Sequence, residues 1–383
     1  MQQVGIEALN VYGGVAKLDV QTLAEARQLD KARFDNLLMK EKTVAMPYED
    51  PVSYAVNAAK PIIDHLSDGD KQRIEMLITC TESGIDFGKS ISSYVHDYLG
   101  LSHNCRMFEL KQACYSGTAG FQMALNFILS QTSPGAKALV IATDISQFFV
   151  TKDKDIAQED WSFAEASSGA GAVAILVSDL PYIFQVDVGC NGYYSYEVMD
   201  TCRPTPDSEA GDADLSLLSY LNCYENAYLL YQNKVEAVDY QDTFDYLSFH
   251  TPFGGMVKGA HRKIMRKFKK AKPVEIDSDF QRRIMPGLIY CQQVGNIMGA
   301  TVFLSLVSTI DNGEFNNSRR VGIFSYGSGC CSEFYSGVVN TQAKKIQAKH
   351  NISEQLGERY CLSIEEYEQL LISSAQVAFG TRN

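Results

Sequence analysis

The sequence predicts a mixed α/β fold with a duplicated core, on three observations. Short apolar runs with strand character recur along the chain, helix-length segments separate them, and one helix–strand pair occurs twice. At 383 residues and 45% hydrophobic, the chain can bury a large core and is too long for one small domain.

The strand runs, in order, are VGIEALNVY near the start, IEMLITC at 74–80, ALVIATD at 138–144, AVAILVS at 172–178, YLSFH at 246–250, VGIFSYG at 321–327 and FYSGVVN at 334–340. GTAGFQMALNFILS (117–130) predicts a helix of small and apolar residues, followed within ten residues by ALVIATD. GNIMGATVFLSLVSTI (295–310) predicts a similar helix about ten residues before VGIFSYG. Helices apolar on nearly every side have to lie in the middle of the molecule. The recurrence hints at two related halves, 1–180 and 181–383. Between them DTCRPTPDSEAGDADLSLLSY (200–220), acidic and punctuated by Pro and Gly, reads as a surface excursion near 200–240 that leads into a helix.

The net charge of -12 argues against non-specific nucleic-acid binding, which relies on a positive field. Ten cysteines (80, 105, 114, 190, 202, 223, 291, 330, 331, 361) form no CxxC pair and no framework spacing. They read as reduced thiols and suggest neither a zinc site nor a disulfide scaffold. The N-terminus MQQVGIEALNVYGG lacks a basic segment before an apolar core, and no run of about 18 apolar residues occurs. A soluble, unexported, cytoplasmic protein is expected.

The chemistry centres on QACYSGTAG (112–120). A helix beginning near Ser116 or Gly117 would point its N-terminus at Cys114, favouring thiolate and offering amides to an oxyanion. The competing reading is a packed core thiol, because free cysteine is among the most buried residue types. Gly117, Ala119 and Gly120 lack the bulk that would keep a substrate or a neighbouring helix away. A nucleophilic thiol calls for an acid/base partner. Of six histidines, His250 alone ends a strand at a turn, in YLSFHTPFGG; His65, His96, His103, His261 and His350 read as surface residues. For a general base, Glu82 follows the strand IEMLITC into the loop TESGIDFG, with Asp86 as its competitor.

TESGIDFGKS (81–90), QACYSGTAG (112–120), DTCRP (200–204), SFHTPFGGMVK (248–258), GNIMGA (295–300) and FSYGSG (324–329) stand in the order, and at roughly the spacing, found in the 3-hydroxy-3-methylglutaryl (HMG) synthase family. The resemblance spans about residues 1 to 340. It implies the thiolase-like fold of duplicated αβαβα layers and a homodimer. It implies Cys114 as the acylated nucleophile, Glu82 as the base and His250 as the residue engaging the second substrate's carbonyl. Asn296 and the turn around Ser328 resemble that family's substrate-positioning elements.

Members acting on coenzyme A in mevalonate synthesis carry a lysine soon after the histidine, whereas here Gly254 and Gly255 come first and Lys258 only later. ACYSG and HTPFGGMVKGAHR resemble instead the bacterial branch that installs β-branches in polyketides on acyl carrier protein (ACP) thioesters. The expectation is a condensing acyltransferase that joins an acetyl group from acetyl-ACP to the β-carbonyl of a β-ketoacyl-ACP. It needs no permanently bound metal or redox cofactor, since phosphopantetheine thioesters activate the carbon. The alternative within the family is an HMG-CoA synthase using acetyl-CoA and acetoacetyl-CoA. Two further rivals are a cysteine thioester hydrolase using Cys114 and His250, and a non-catalytic carrier-docking protein.

HRKIMRKFKKAK (261–272) places Arg262, Lys263, Arg266, Lys267, Lys269, Lys270 and Lys272 in one stretch of an otherwise acidic chain. It reads as a basic helix suited to an acidic carrier protein, with Arg262, Lys263, Arg266, Lys267 and Lys270 as docking candidates. The phosphates of coenzyme A, or solvent alone, would suit it as well.

Overall fold

The computed structural model describes residues 3–146, 164–205 and 208–374. Its first strands are β1 (Gly5–Tyr12), β2 (Ala16–Asp19), β3 (Glu41–Val44), β4 (Ile74–Cys80), β5 (Arg106–Leu110), β6 (Lys137–Ile145) and β7 (Ala170–Ser178). The later ones are β8 (Phe184–Ser195), β9 (Thr201–Thr205), β10 (Ser208–Gly211), β11 (Tyr246–Phe249), β12 (Arg319–Gly327), β13 (Cys331–Val339) and β14 (Tyr360–Cys361). Nine of them form one sheet in the order β11-β12-β13-β8-β1-β7-β6-β4-β5.

The duplication is visible in that order. From β1 outward, β7 and β6 follow antiparallel and β4 parallel. From β8 outward, β13 and β12 follow antiparallel and β11 parallel. The halves meet where β1 pairs β8, at Gly5–Gln185 and Ile6–Phe184. Glu82 therefore follows β4 where His250 follows β11, at equivalent places in the two halves.

Both faces of the sheet are buried, so side-chain alternation assigns the layers. Along β6, Ala138, Val140 and Ala142 face the middle of the molecule, where the helices Ser116–Leu129 and Thr301–Asn312 lie. Leu139 and Ile141 face the outer helices Pro51–His65 and Ser92–Leu99. Along β12, Val321 and Ile323 belong to the central core, while Phe324 and Tyr326 pack with the outer helices Ala213–Lys234, Gly254–Ile264 and Pro273–Arg283. The result is the αβαβα layering. Thr301 to Ile310 are buried without a break, as expected of a helix apolar on every side.

Three readings of the sequence are corrected. The 200–240 stretch is no surface excursion over its helical part, for Tyr220, Tyr224 and Tyr228 of Ala213–Lys234 are fully buried at i, i+4 spacing. Their hydroxyls disguised the core face. Two of the three are satisfied internally, Tyr220 Oη donating to the His250 carbonyl (2.7 Å) and Tyr224 Oη to Tyr240 Oη (2.8 Å). His261 is buried, not exposed, with Nδ1 2.9 Å from Tyr240 Oη and Nε2 3.2 Å from Asp279 Oδ2. The 261–272 run is not one helix. The α-helix passes at Ile264 into a π-helix over Met265–Lys269, Lys270 turns left-handed (φ 51°) and ends it, and Pro273 opens the next helix.

Candidate active site

β5 carries the chain to Cys114. Ala113 sits at φ 42°, a left-handed conformation that costs a non-glycine residue about 1 kcal/mol and turns the chain sharply before the helix Ser116–Leu129. The amides of Tyr115 and Ser116 donate to the carbonyls of Gln112 and Ala113, both at 3.1 Å. These two first-turn amides are therefore used in the turn itself, not offered to the sulfur as the sequence suggested. Cys114 Sγ lies 3.4 Å from Glu82 Oε1, to which the thiol donates, and 3.9 Å from Met298 Sδ. The small residues after Cys114 serve packing: a Cβ at Gly117 would stand 2.2 Å from the Gly299 carbonyl oxygen, and one at Gly120 2.5 Å from Cys80 Sγ.

The loop bearing Glu82 is clamped from below. Buried Asp144, at the end of β6, accepts through Oδ1 from Thr81 Oγ1 (3.0 Å), the Glu82 amide (2.9 Å), the Ser83 amide (3.0 Å) and Ser83 Oγ (2.8 Å). Burial first, and the Glu82 carboxylate second, push the Asp144 carboxyl above the usual range. Asp86, the rival base, accepts instead from the Gly88 and Lys89 amides and from Tyr94 Oη, and those bonds hold its carboxyl below the usual range. From the far half, Arg203 on β9 reaches Glu82, with Nη1 3.1 Å from its carbonyl and Nη2 3.3 Å from Oε2.

His250 follows β11 as the strand pattern predicts. Its amide donates to the Phe324 carbonyl (2.7 Å), its side chain is buried, and burial pushes the imidazole down to about 3, leaving it neutral. Three residues beyond Phe324, Gly327 presses on the cysteine turn, where a Cβ would meet the Tyr115 nitrogen at 2.6 Å. β12 thus carries the His250 neighbourhood to the Cys114 turn. Asn296 Oδ1 accepts from the Met298 amide and Thr301 Oγ1, both at 3.0 Å, and so shapes the loop that places Met298 on the sulfur. Ser328 lies in the partly buried β12–β13 turn, fixed by Asp200, which accepts from Tyr326 Oη and the Gly329 amide, both at 2.9 Å.

The basic candidates divide into two groups. Lys263 and Lys267 pair with Glu225, and Lys269 with Asp239. Arg262 and Arg266 join Lys258, Pro273, Ile276 and Asp277 around a polar pocket of about 160 Å³. Lys270 is exposed at the left-handed turn. Among the described residues no His/Cys/Asp/Glu group has the arrangement of a metal site, and no helix is long and apolar enough to cross a membrane.

Arg203, Asp144 and Asp200 escaped assignment from sequence. Asp144 ends a buried strand, the same signal that singled out Glu82, while Asp200 and Arg203 lie within the motif DTCRP without their partners being legible there.

Two family profiles match the chain, hydroxymethylglutaryl-coenzyme A synthase N terminal over residues 1–180 and C terminal over 264–382. The polyketide biosynthesis 3-hydroxy-3-methylglutaryl-ACP synthase PksG of Bacillus subtilis is 66% identical over 100% of this chain and 91% of its own. The crystal structure of the curacin biosynthetic pathway HMG synthase in complex with acetyl donor-ACP shares 76% identity at a TM-score of 0.95, covering 100% of this chain and 91% of that one. MvaS in complex with 3-hydroxy-3-methylglutaryl coenzyme A shares 31% identity at a TM-score of 0.86, over 97% and 92% of the two chains. The chain belongs to the hydroxymethylglutaryl-coenzyme A synthase family.

Proposed function

We propose that this protein condenses an acetyl group from acetyl-ACP with the β-carbonyl of a β-ketoacyl-ACP, as an HMG synthase of polyketide β-branching. The carrying observation is the 3.4 Å approach of Glu82 Oε1 to Cys114 Sγ. Cys114 takes the acetyl group, and its thiol proton ends on the departing phosphopantetheine sulfur. Glu82, from the half 1–180 that also bears Cys114, then faces the acetyl methyl and removes a proton. The carbanion attacks the acceptor's β-carbon, and His250, from the half 181–383, steadies the new alkoxide. A neutral imidazole does this as a hydrogen-bond donor, with the proton supplied afterwards. Water cleaves the Cys114 thioester and releases the product. Asn296 and Ser328 are substrate-positioning residues in this reading, Asn296 through the loop that carries Met298 to the sulfur.

Carrier protein is favoured over coenzyme A as the handle by the gap between 66% identity to an HMG-ACP synthase and 31% to the coenzyme A-complexed MvaS. Arg262 and Arg266 supply cations beside a pocket. Lys263 and Lys267 act chiefly as anchors on Glu225.

The homodimer reading is supported by β5, which ends the sheet without an outer neighbour among the described strands. Exposed Phe87, Met107 and Met123 add apolar surface in that half. A cytoplasmic location suits ten cysteines that are all free. The test is intact-mass spectrometry with acetyl-ACP, then with a β-ketoacyl-ACP. One acetyl on the enzyme, followed by an HMG-type acyl group on the acceptor carrier, is expected. Acetylation followed only by hydrolysis to acetate would instead favour the thioesterase reading.

A further inference from the structure

We propose that Arg203 is the positioning residue of the carbon–carbon bond-forming step, holding the Glu82 carboxylate on the acyl group carried by Cys114. The proposal rests on Glu82 being the carbon base.

One guanidinium grips Glu82 twice, Nη1 on its carbonyl at 3.1 Å and Nη2 on Oε2 at 3.3 Å. With Oε2 engaged, Oε1 is the oxygen left at the sulfur, 3.4 Å from Cys114 Sγ. The planar fork fixes backbone and side chain together, which the single ammonium of lysine cannot do in the same geometry. Both side chains are mostly buried, at 18% and 17% exposure, so the pair is poorly screened by solvent.

Three residues before Arg203, Asp200 is 2% exposed and bound to Tyr326 Oη and the Gly329 amide, both at 2.9 Å. Tyr326 lies two residues past Phe324, whose carbonyl accepts the His250 amide. The segment from Asp200 to Arg203 is therefore fastened at one end to the His250 side of the site and at the other to the base. A merely structural ion pair would connect the halves without choosing which Glu82 oxygen faces the thiol.

Removing the clamp should damage the carbanion step and spare loading. Arg203→Gln should retain Cys114 acetylation within about threefold. Its exchange of acetyl methyl protons in deuterated water should fall about thirtyfold, equivalent to about 2 kcal/mol. Arg203→Lys should recover part of the exchange, since a point charge restores attraction but not the fork. Glu82→Gln serves as the control. An Arg203→Gln enzyme that exchanges at the wild-type rate, beside an inactive Glu82→Gln, overturns the proposal. So do equal losses of acetylation and exchange in both Arg203 variants with a lowered melting temperature, which is the pattern of a structural pair. Wild-type exchange in Glu82→Gln would remove the base assignment itself.

Discussion

The backbones of Gly117 and Gly299 touch: a Cβ at Gly117 would stand 2.2 Å from the Gly299 carbonyl oxygen, and one at Gly299 2.9 Å from the Gly117 nitrogen. The contact locks the helix behind Cys114 against the loop that carries Met298, so the two duplicated helices meet at the nucleophile. Gly117→Ala should destabilise the protein by about 2 kcal/mol or more, because backbone atoms cannot step aside as a flexible side chain can. Gly259→Ala is the matched control. It lies within the helix Gly254–Ile264 with nothing within 4 Å of a Cβ, and should stabilise by about 0.5–1 kcal/mol. Denaturation midpoints of the two variants should move in opposite directions; parallel shifts would disprove the packing argument.

Replacing Cys114 with Ser should abolish acetyl transfer and leave the fold intact, because a serine hydroxyl is nearly isosteric but far less nucleophilic near neutral pH. Intact mass after incubation with acetyl-ACP should show one acetyl on wild type and none on the variant. An acetyl persisting on the variant would place the nucleophile elsewhere.

Burial holds the His250 imidazole down to about 3, against about 6.5 in an unfolded chain. Between those values the unfolded state binds one proton more than the folded state. Stability is therefore fully present above about pH 6.5 and declines as the pH falls, by about 1.4 kcal/mol per unit from this group alone. His261 and His350 are pushed down as well, so the measurement is a comparison. His250→Gln should show a shallower loss of unfolding free energy between about pH 6 and 5 than wild type. Parallel slopes would mean that His250 titrates normally in the folded protein, and the neutral-donor role would fall.

Much of the frame was legible because strand period and apolar helices are local signals. IEMLITC coincides with Ile74–Cys80, and the twin helices were visible as small and apolar runs. The positions of Glu82 and His250 were legible because each follows a strand into a loop. What stayed hidden depends on long-range partners. The twelve-residue β8, FQVDVGCNGYYS, mixes buried and exposed positions without clean alternation. The tyrosine face of Ala213–Lys234 looked polar because the internal partners of Tyr220 and Tyr224, the His250 carbonyl and Tyr240, lie far along the chain. Arg203 lies 121 residues from Glu82, and Asp144 62, separations across which a single sequence carries no pairing information.

The pairing of Lys263 and Lys267 with Glu225 separates two roles within the basic stretch. Arg262 and Arg266 line the pocket with Lys258, and Lys258 itself pairs with Asp277 at 3.1 Å. If the pocket face docks an acidic carrier, Arg262→Glu with Arg266→Glu should lower turnover on acetyl-ACP by about tenfold or more, as two exposed contacts of up to about 1 kcal/mol each would imply. Turnover of a short acetyl-pantetheine thioester should barely change, since that substrate is too small to reach the helix and Cys114, Glu82 and His250 are intact. Added salt should narrow the gap between variant and wild type, because exposed charges are screened over about 8 Å at physiological ionic strength. Lys263→Gln with Lys267→Gln should behave in the opposite way. It leaves Glu225, whose side chain is only 15% exposed, without its two ammonium partners, so stability falls while the carrier dependence of turnover persists. Equal losses on carrier-bound and minimal substrates in the arginine variant would mean damage to the fold rather than to docking. Unchanged kinetics on both would make that face a solvated surface and move the carrier to another part of the molecule.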